Sequence, residues 1–174
     1  MLFLLNKDIR TEKWNGLPLH ETSSAIVKET LNGDFILSIR YPITDSGIYK
    51  QIKEDMLIKA PVPVLGFQLF RIKKPIENDD SLDITAYHIS DDIMQRSIEP
   101  ISVVNLTCGM ALSQMVQNTK TNLGDLSFTS DITDRRTLNT DEVKTLYTVL
   151  MDGAHSIVGT WEGELIRDNL ALTI

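Results

Sequence analysis

Ala25-Ile26-Val27-Lys28-Glu29-Thr30-Leu31-Asn32-Gly33-Asp34-Phe35-Ile36-Leu37-Ser38-Ile39-Arg40-Tyr41 carries the clearest structural signal of the chain. β-branched and apolar residues run up to an Asn-Gly pair, and a second extended run follows it. Asn-Gly accepts the positive φ angles of a type I′ turn, whose twist matches that of two flanking strands. Phe35, Leu37, Ile39 and Tyr41 then fall on one face, because side chains alternate along a strand. The stretch therefore predicts a β-hairpin with a buried side, ended by Pro42.

Upstream, Leu2–Leu5 reads as a first strand before the polar turn Asn6-Lys7-Asp8. After Pro42 comes a turn at Thr44-Asp45-Ser46-Gly47, a helical turn over Tyr49–Glu54 and an extended Met56–Lys59. Two further strands, Phe67–Lys73 and Leu82–Ile89, are joined by the polar loop Glu77-Asn78-Asp79-Asp80-Ser81. Ser90 is placed to cap a short helix over Asp91–Arg96, with two carboxylates near its positive end.

Thr107 caps a longer helix, in which Cys108, Ala111, Leu112, Met115 and Val116 make one apolar stripe. Leu126–Ile132 reads as extended. Thr140 is expected to cap a third helix, whose Val143, Leu146, Tyr147, Leu150 and Met151 repeat the stripe and which stops at Asp152-Gly153. The final stretch from Trp161 to Ile174 reads as two short strands around Arg167-Asp168-Asn169. The class is α+β, with a β-rich first half of hairpins and a mixed α/β second half. Since the last strand is followed by no closing element, the expectation is the front part of a longer polypeptide.

A length of 174 residues permits one sizeable domain or two small ones without staples. There are 24 acidic against 17 basic residues, a formal charge of -7. A surface built to grip phosphate runs the other way, so nucleic-acid binding is disfavoured. The single cysteine, Cys108, excludes an intrachain disulfide and a thiolate metal cluster. Met1–Leu5 lacks the basic flank and the length of a secretory signal. No apolar run approaches the ~20 residues of a membrane-spanning helix. The reading is a protein made in a cytoplasm, without a membrane span.

The residues that carry chemistry do not form a catalytic pattern. His20, His88 and His155 are far apart in sequence. His88 is in strand phase with Leu82, Ile84 and Ala86 and reads as a hydrogen-bonded structural histidine, while His155 lies in a loop with no paired nucleophile. No zinc-binding spacing, nucleophile elbow or phosphate-binding glycine loop occurs. Cys108 sits where a helix dipole lowers a thiol pKa, yet it also begins the apolar stripe and reads as core. Glu162 and Glu164 alternate on one predicted strand and could face a cleft as a carboxylate pair, against a solvated strand face. Trp14 and Trp161 are too few for a sugar-stacking platform. No catalytic, cofactor or metal residue is assigned, and no cofactor is expected.

Several fragments, in order, resemble one family. Leu31-Asn32-Gly33 with the alternating strand ending at Tyr41-Pro42 is the first. Gln68-Leu69-Phe70-Arg71-Ile72, Ala86-Tyr87-His88-Ile89 leading to Asp92-Ile93-Met94, and Ser130-Asp131-Ile132 follow. The most specific set is Asp152-Gly153 and Ser156-Ile157, then Trp161-Glu162-Gly163-Glu164 and Arg167-Asp168-Asn169. Together they resemble the N-terminal module of the phage tail-associated lysins, or prophage endopeptidase tail proteins, of siphophages. Two departures stand out: Glu162 occupies a position where the family has glycine, and Ala60–Gly66 forms a longer connecting loop.

The resemblance implies a non-enzymatic, barrel-like hub domain over residues 1–95, followed by an α/β element over 96–174 that is incomplete at its end. It further implies a homotrimeric ring at the virion tail tip, contacting the distal tail protein and other tip proteins, through which genome DNA passes without specific binding. Peptidoglycan hydrolysis, where the family has it, belongs to later domains. The rival expectations are a cell-wall hydrolase, which would clear a cell-wall suspension, and a host-surface binding module.

Overall fold

The computed structural model describes all residues, 1–174. The chain divides into two compact units, Met1–Thr30 with Asp34–Ile89, and Leu31–Gly33 with Ser90–Ile174.

The first unit is one antiparallel sheet. Its strands are β1 (Phe3–Leu5), β2 (Leu17–Pro18), β3 (Ser24–Glu29), β4 (Phe35–Pro42), β5 (Leu57–Val62), β6 (Gly66–Glu77) and β7 (Ser81–His88). They lie in the order β2-β1-β5-β6-β7-β4-β3. The alternation in β4 sets the register: Phe35, Leu37, Ile39 and Tyr41 are all buried. A slip by one residue would send all four to solvent, at about 1.5–3 kcal/mol each. They pack with Phe70, Ile72, Ile84 and Ala86 from β6 and β7.

Two buried cations on the other side of this sheet are satisfied locally. Lys59 Nζ donates to Trp14 O at 3.3 Å and Asn15 Oδ1 at 3.0 Å and lies 4.5 Å from the Phe67 ring centroid. Arg71 donates to Asp55 O at 2.6 Å and Lys7 O at 3.3 Å. These bonds tie the N-terminal loop to β5 and β6.

The second unit contains β8 (Ser97–Ile98), β9 (Ser102–Thr107), α1 (Cys108–Asn118), β10 (Ser127–Thr129), β11 (Arg135–Asn139), β12 (Lys144–Thr145), α2 (Leu146–Met151), α3 (Ile157–Trp161), β13 (Ile166–Asp168) and β14 (Ala171–Thr173). β9 pairs with β11 and β8 with β12, while β14 lies between β13, antiparallel, and β10, parallel. Thr107 caps α1 by accepting from Met110 N. Of the α1 stripe, Cys108, Ala111, Leu112 and Met115 are buried in one core with Leu150, Ile157 and Trp161, while Val116 is exposed. The α+β class and the β-rich character follow from these elements.

Five local expectations are corrected. The Asn-Gly tip is not a two-residue type I′ turn: Thr30 N donates to Asp34 O, closing a three-residue loop in which Asn32 has φ 51 and Gly33 is not left-handed. Residues 60–66 are not one loop, since β5 runs to Val62 and only Pro63–Leu65 turn. The segment after Ser90 is a 3-10 helix over Ile89–Ile93, short of Arg96. Thr140 does not cap a helix; its hydroxyl accepts from Ile101 N at 2.9 Å, and Thr145 caps α2 five residues later. Trp161 ends α3 instead of opening a strand.

Candidate functional site

The three histidines are not brought together. His88 is fully buried between the Phe35 ring, stacked at 4.6 Å, and the edge of Phe70 at 5.6 Å. Its Nε2 is 3.1 Å from Gln68 Oε1, and Gln68 Nε2 donates to Leu65 O. With the amide so oriented, Nε2 carries the proton, and His88 is a structural histidine of the sheet. His20 and His155 are exposed.

Cys108 is buried, and burial pushes its thiol up, with the Asp131 charge adding to the shift and a hydrogen bond to Ser130 opposing it. The helix-start position therefore does not activate it. Glu162 and Glu164 are not on a strand. Glu162 is the left-handed C-cap of α3, with φ 55, and its carboxylate pairs with Arg136 at 3.2 Å. The left-handed turn thus stands with Glu162 in place of a glycine. Glu164 follows in the exposed connection to β13. Trp161 is buried and donates from Nε1 to Asp134 O at 3.0 Å, whereas Trp14 is exposed. No group of three or more His, Cys, Asp or Glu is gathered as a metal site.

A cleft of about 410 Å³ opens in the first unit over Leu2, Leu19, Val27, Leu37 and Ala60, rimmed by His20, Thr22, Ser23 and Ser24. The hydroxyls of Thr22 and Ser23 donate to the carbonyls of Leu19 and Arg40. They are therefore engaged with backbone and not poised toward His20.

The sequence reading missed the polar centre of the second unit. Arg167 is 1% exposed, donates to Gly33 O at 2.6 Å, and lies 3.7 Å from Asp91. Beside it, Asn32 donates from Nδ2 to Gly163 O at 3.1 Å and accepts from Leu165 N at 2.7 Å. The side-chain amide completes the backbone pairing of the segment that leads into β13. An Asn in a hairpin tip announces only the turn, and nothing local to Arg167 marks it as buried.

The built surface is the outer face of β3, β4, β7 and β6. Register places Lys28, Ile36 and Tyr87 in one row, Ile26, Ser38, Thr85 and Lys74 in the next, and Ser24, Arg40, Asp83 and Ile76 in the third. Ile26 is 63% and Ile76 56% exposed. Lys73 stands 5.9 Å from the Tyr87 ring centroid. Arg40 forms a bidentate pair with Asp83 at 2.9 and 3.1 Å, which holds the Asp83 carboxyl below its usual range. With that pair neutral, Lys28, Lys73 and Lys74 give the face a positive end. The two units differ in charge: the first carries twelve acidic and eleven basic residues, the second twelve acidic and six basic.

The chain superposes on the prophage tail protein gp18 from Listeria monocytogenes EGD-e over 99% of its own length, with a TM-score of 0.74 at 17% identity. It shares that tail protein's fold. A second likeness, to the tail protein from Neisseria meningitidis MC58, covers 86% of the chain with a TM-score of 0.58 at 9% identity. The chain spans about half the length of these solved structures, 49% and 44%. No protein-family model and no curated protein sequence matches it.

Proposed function

We propose that the chain is a structural part of a bacteriophage tail. The observation that carries this reading is the likeness to gp18 along 99% of the chain. The ordered sequence fragments in the hairpin tip, the β7 end and the Trp161–Asn169 segment support it independently.

More finely, the chain is the N-terminal module of a homotrimeric hub at the tail tip, joining the tube and the distal tail protein to the tip. It works by symmetric assembly and not by catalysis. The excess of carboxylates on the second unit suits a passage for DNA, because acidic walls repel phosphate and let the polymer slide.

Native mass spectrometry, with electron microscopy of any oligomer, tests the reading. A three-fold ring with an open centre is expected. A polypeptide that stays monomeric even when extended beyond Ile174 refutes the hub, and a ring with a basic or neutral channel wall refutes the acidic lumen.

A further inference from the structure

The positive end of the open sheet face has a counterpart elsewhere on the same chain. Between β11 and β12, Asp141, Glu142 and Val143 form an exposed bend, and Tyr147 follows on α2. Val143 is 49% and Tyr147 37% exposed, although both belong to the apolar stripe expected of a helix core. Two adjacent carboxylates followed by two exposed apolar side chains thus lie on the surface of the second unit. On the first unit, Lys28, Lys73 and Lys74 surround Tyr87, Ile36 and Ile26. The first patch is net basic and the second net acidic, and both offer apolar contacts.

We propose that the Asp141–Val143 bend of one copy docks on the Lys28–Lys74 sheet face of a second copy. The inference rests on the self-assembly proposed above and names its contact surfaces. Because the two patches are different, the contact is heterologous and runs head to tail, the arrangement that closes into a ring when the rotation permits. Carboxylates meet ammonium groups at its rim, while Val143 and Tyr147 pack on Ile26, Ile36 and Tyr87.

The dimensions set the strength. Four strands at about 4.8 Å and some five residues at about 3.3 Å give a face of roughly 300 Å². A standard interface buries about 800 Å² per partner, so this patch is the centre of a contact and not all of it. Pairwise association is accordingly weak and salt-sensitive, since exposed charges are screened beyond about 10 Å at 0.1 M salt.

Sedimentation velocity of the full chain at low and high salt provides the test, with two double variants. Lys28→Glu with Lys74→Glu reverses the face, and Asp141→Lys with Glu142→Lys reverses the bend. All four positions are at the surface, and circular dichroism with a urea midpoint verifies folding. The parent chain is expected to self-associate at low salt, and each variant alone to do so at least about tenfold more weakly. An equimolar mixture of the two variants restores association into alternating, even-numbered oligomers, because each contact between unlike variants again joins opposite charges, whereas a three-membered ring of the two keeps one like-charged contact.

A mixture that stays dissociated overturns the pairing, as does a variant that associates like the parent. In the latter case self-assembly stands and only the assigned surfaces fall. A parent chain monomeric under all conditions overturns the assigned pairing, while the hub itself falls only if the polypeptide extended beyond Ile174 is monomeric too. If Lys28→Glu with Lys74→Glu instead abolishes retention of a duplex DNA probe and leaves self-association intact, the face belongs to a nucleic-acid backbone and the inference fails.

Discussion

Replacing Asn32 measures how much the hairpin tip contributes to the second unit. The side chain supplies one donor bond, to Gly163 O, and one acceptor bond, from Leu165 N. Each is worth about 1 kcal/mol net, and more if the backbone group left behind is shielded from water. Its φ of 51 adds a conformational cost of about 1 kcal/mol for a residue with a β-carbon and no compensating polar group. Asn32→Ala should therefore destabilise the second unit by about 3 kcal/mol.

Asn32→Gly loses both hydrogen bonds but avoids most of the left-handed cost, so it should cost about 2 kcal/mol. Asn32→Asp keeps the acceptor, loses the donor and sets a carboxylate against the Gly163 carbonyl. It should fall between Gly and the parent at low pH and worsen once ionised. Urea unfolding followed by Trp161 fluorescence, in a Trp14→Phe background, isolates the second unit because Trp161 is buried there. With slopes of about 1–3 kcal/mol per molar urea, the Ala midpoint should fall by about 1 M or more. An unchanged midpoint for Asn32→Ala, or an Asp variant matching the parent at neutral pH, would show that these two hydrogen bonds do not support the second unit.

Tyr41 should be the last tyrosine feature to appear in a phenolate absorbance titration. Burial first, then its bond to Glu21, pushes its hydroxyl up to about 12, so its contribution to stability is complete below the unfolded value near 10 and is lost as pH rises through 12. Tyr41→Phe should remove that alkaline arm. Cys108 should resist an aromatic disulfide reagent until the chain unfolds, and stoichiometric reaction of the native protein would contradict its burial. Gly159→Ala should cost about 1–3 kcal/mol, because a β-carbon there meets the Gly153 carbonyl oxygen. Glu162→Gly should instead be neutral or stabilising by up to about 1 kcal/mol, as relief of the left-handed backbone outweighs an exposed ion pair. Both are read from the Trp161 urea midpoint.

What the sequence made legible is local. β4 and α1 were readable because a single period runs through each, whatever distant segment completes their packing. Thr107 was identifiable as a cap because the stripe starts one residue later. Thr140 misled for the opposite reason. It precedes an apolar run as a cap does, but its hydroxyl is taken by Ile101 N, a partner thirty-nine residues away.

β11 reads Arg-Arg-Thr-Leu-Asn, with one buried side chain, Leu138, and becomes a strand only through its pairing with β9. The parallel pairing of β10 with β14 is equally non-local. The candidate surface was illegible too, since Lys28, Tyr87 and Lys74 become neighbours only through register.

The membership of Leu31–Gly33 in the second unit, while both strands beside them belong to the first, makes the chain cross between units three times. Genetic exchange sees a boundary at Ile89/Ser90, but a crossover there delivers a second unit without Asn32 and Gly33. The incoming segment must then find its amide and its carbonyl in a hairpin tip that evolved with a different companion. Recombination that replaces one unit alone is thus filtered by three residues, and the two halves are expected to be inherited together.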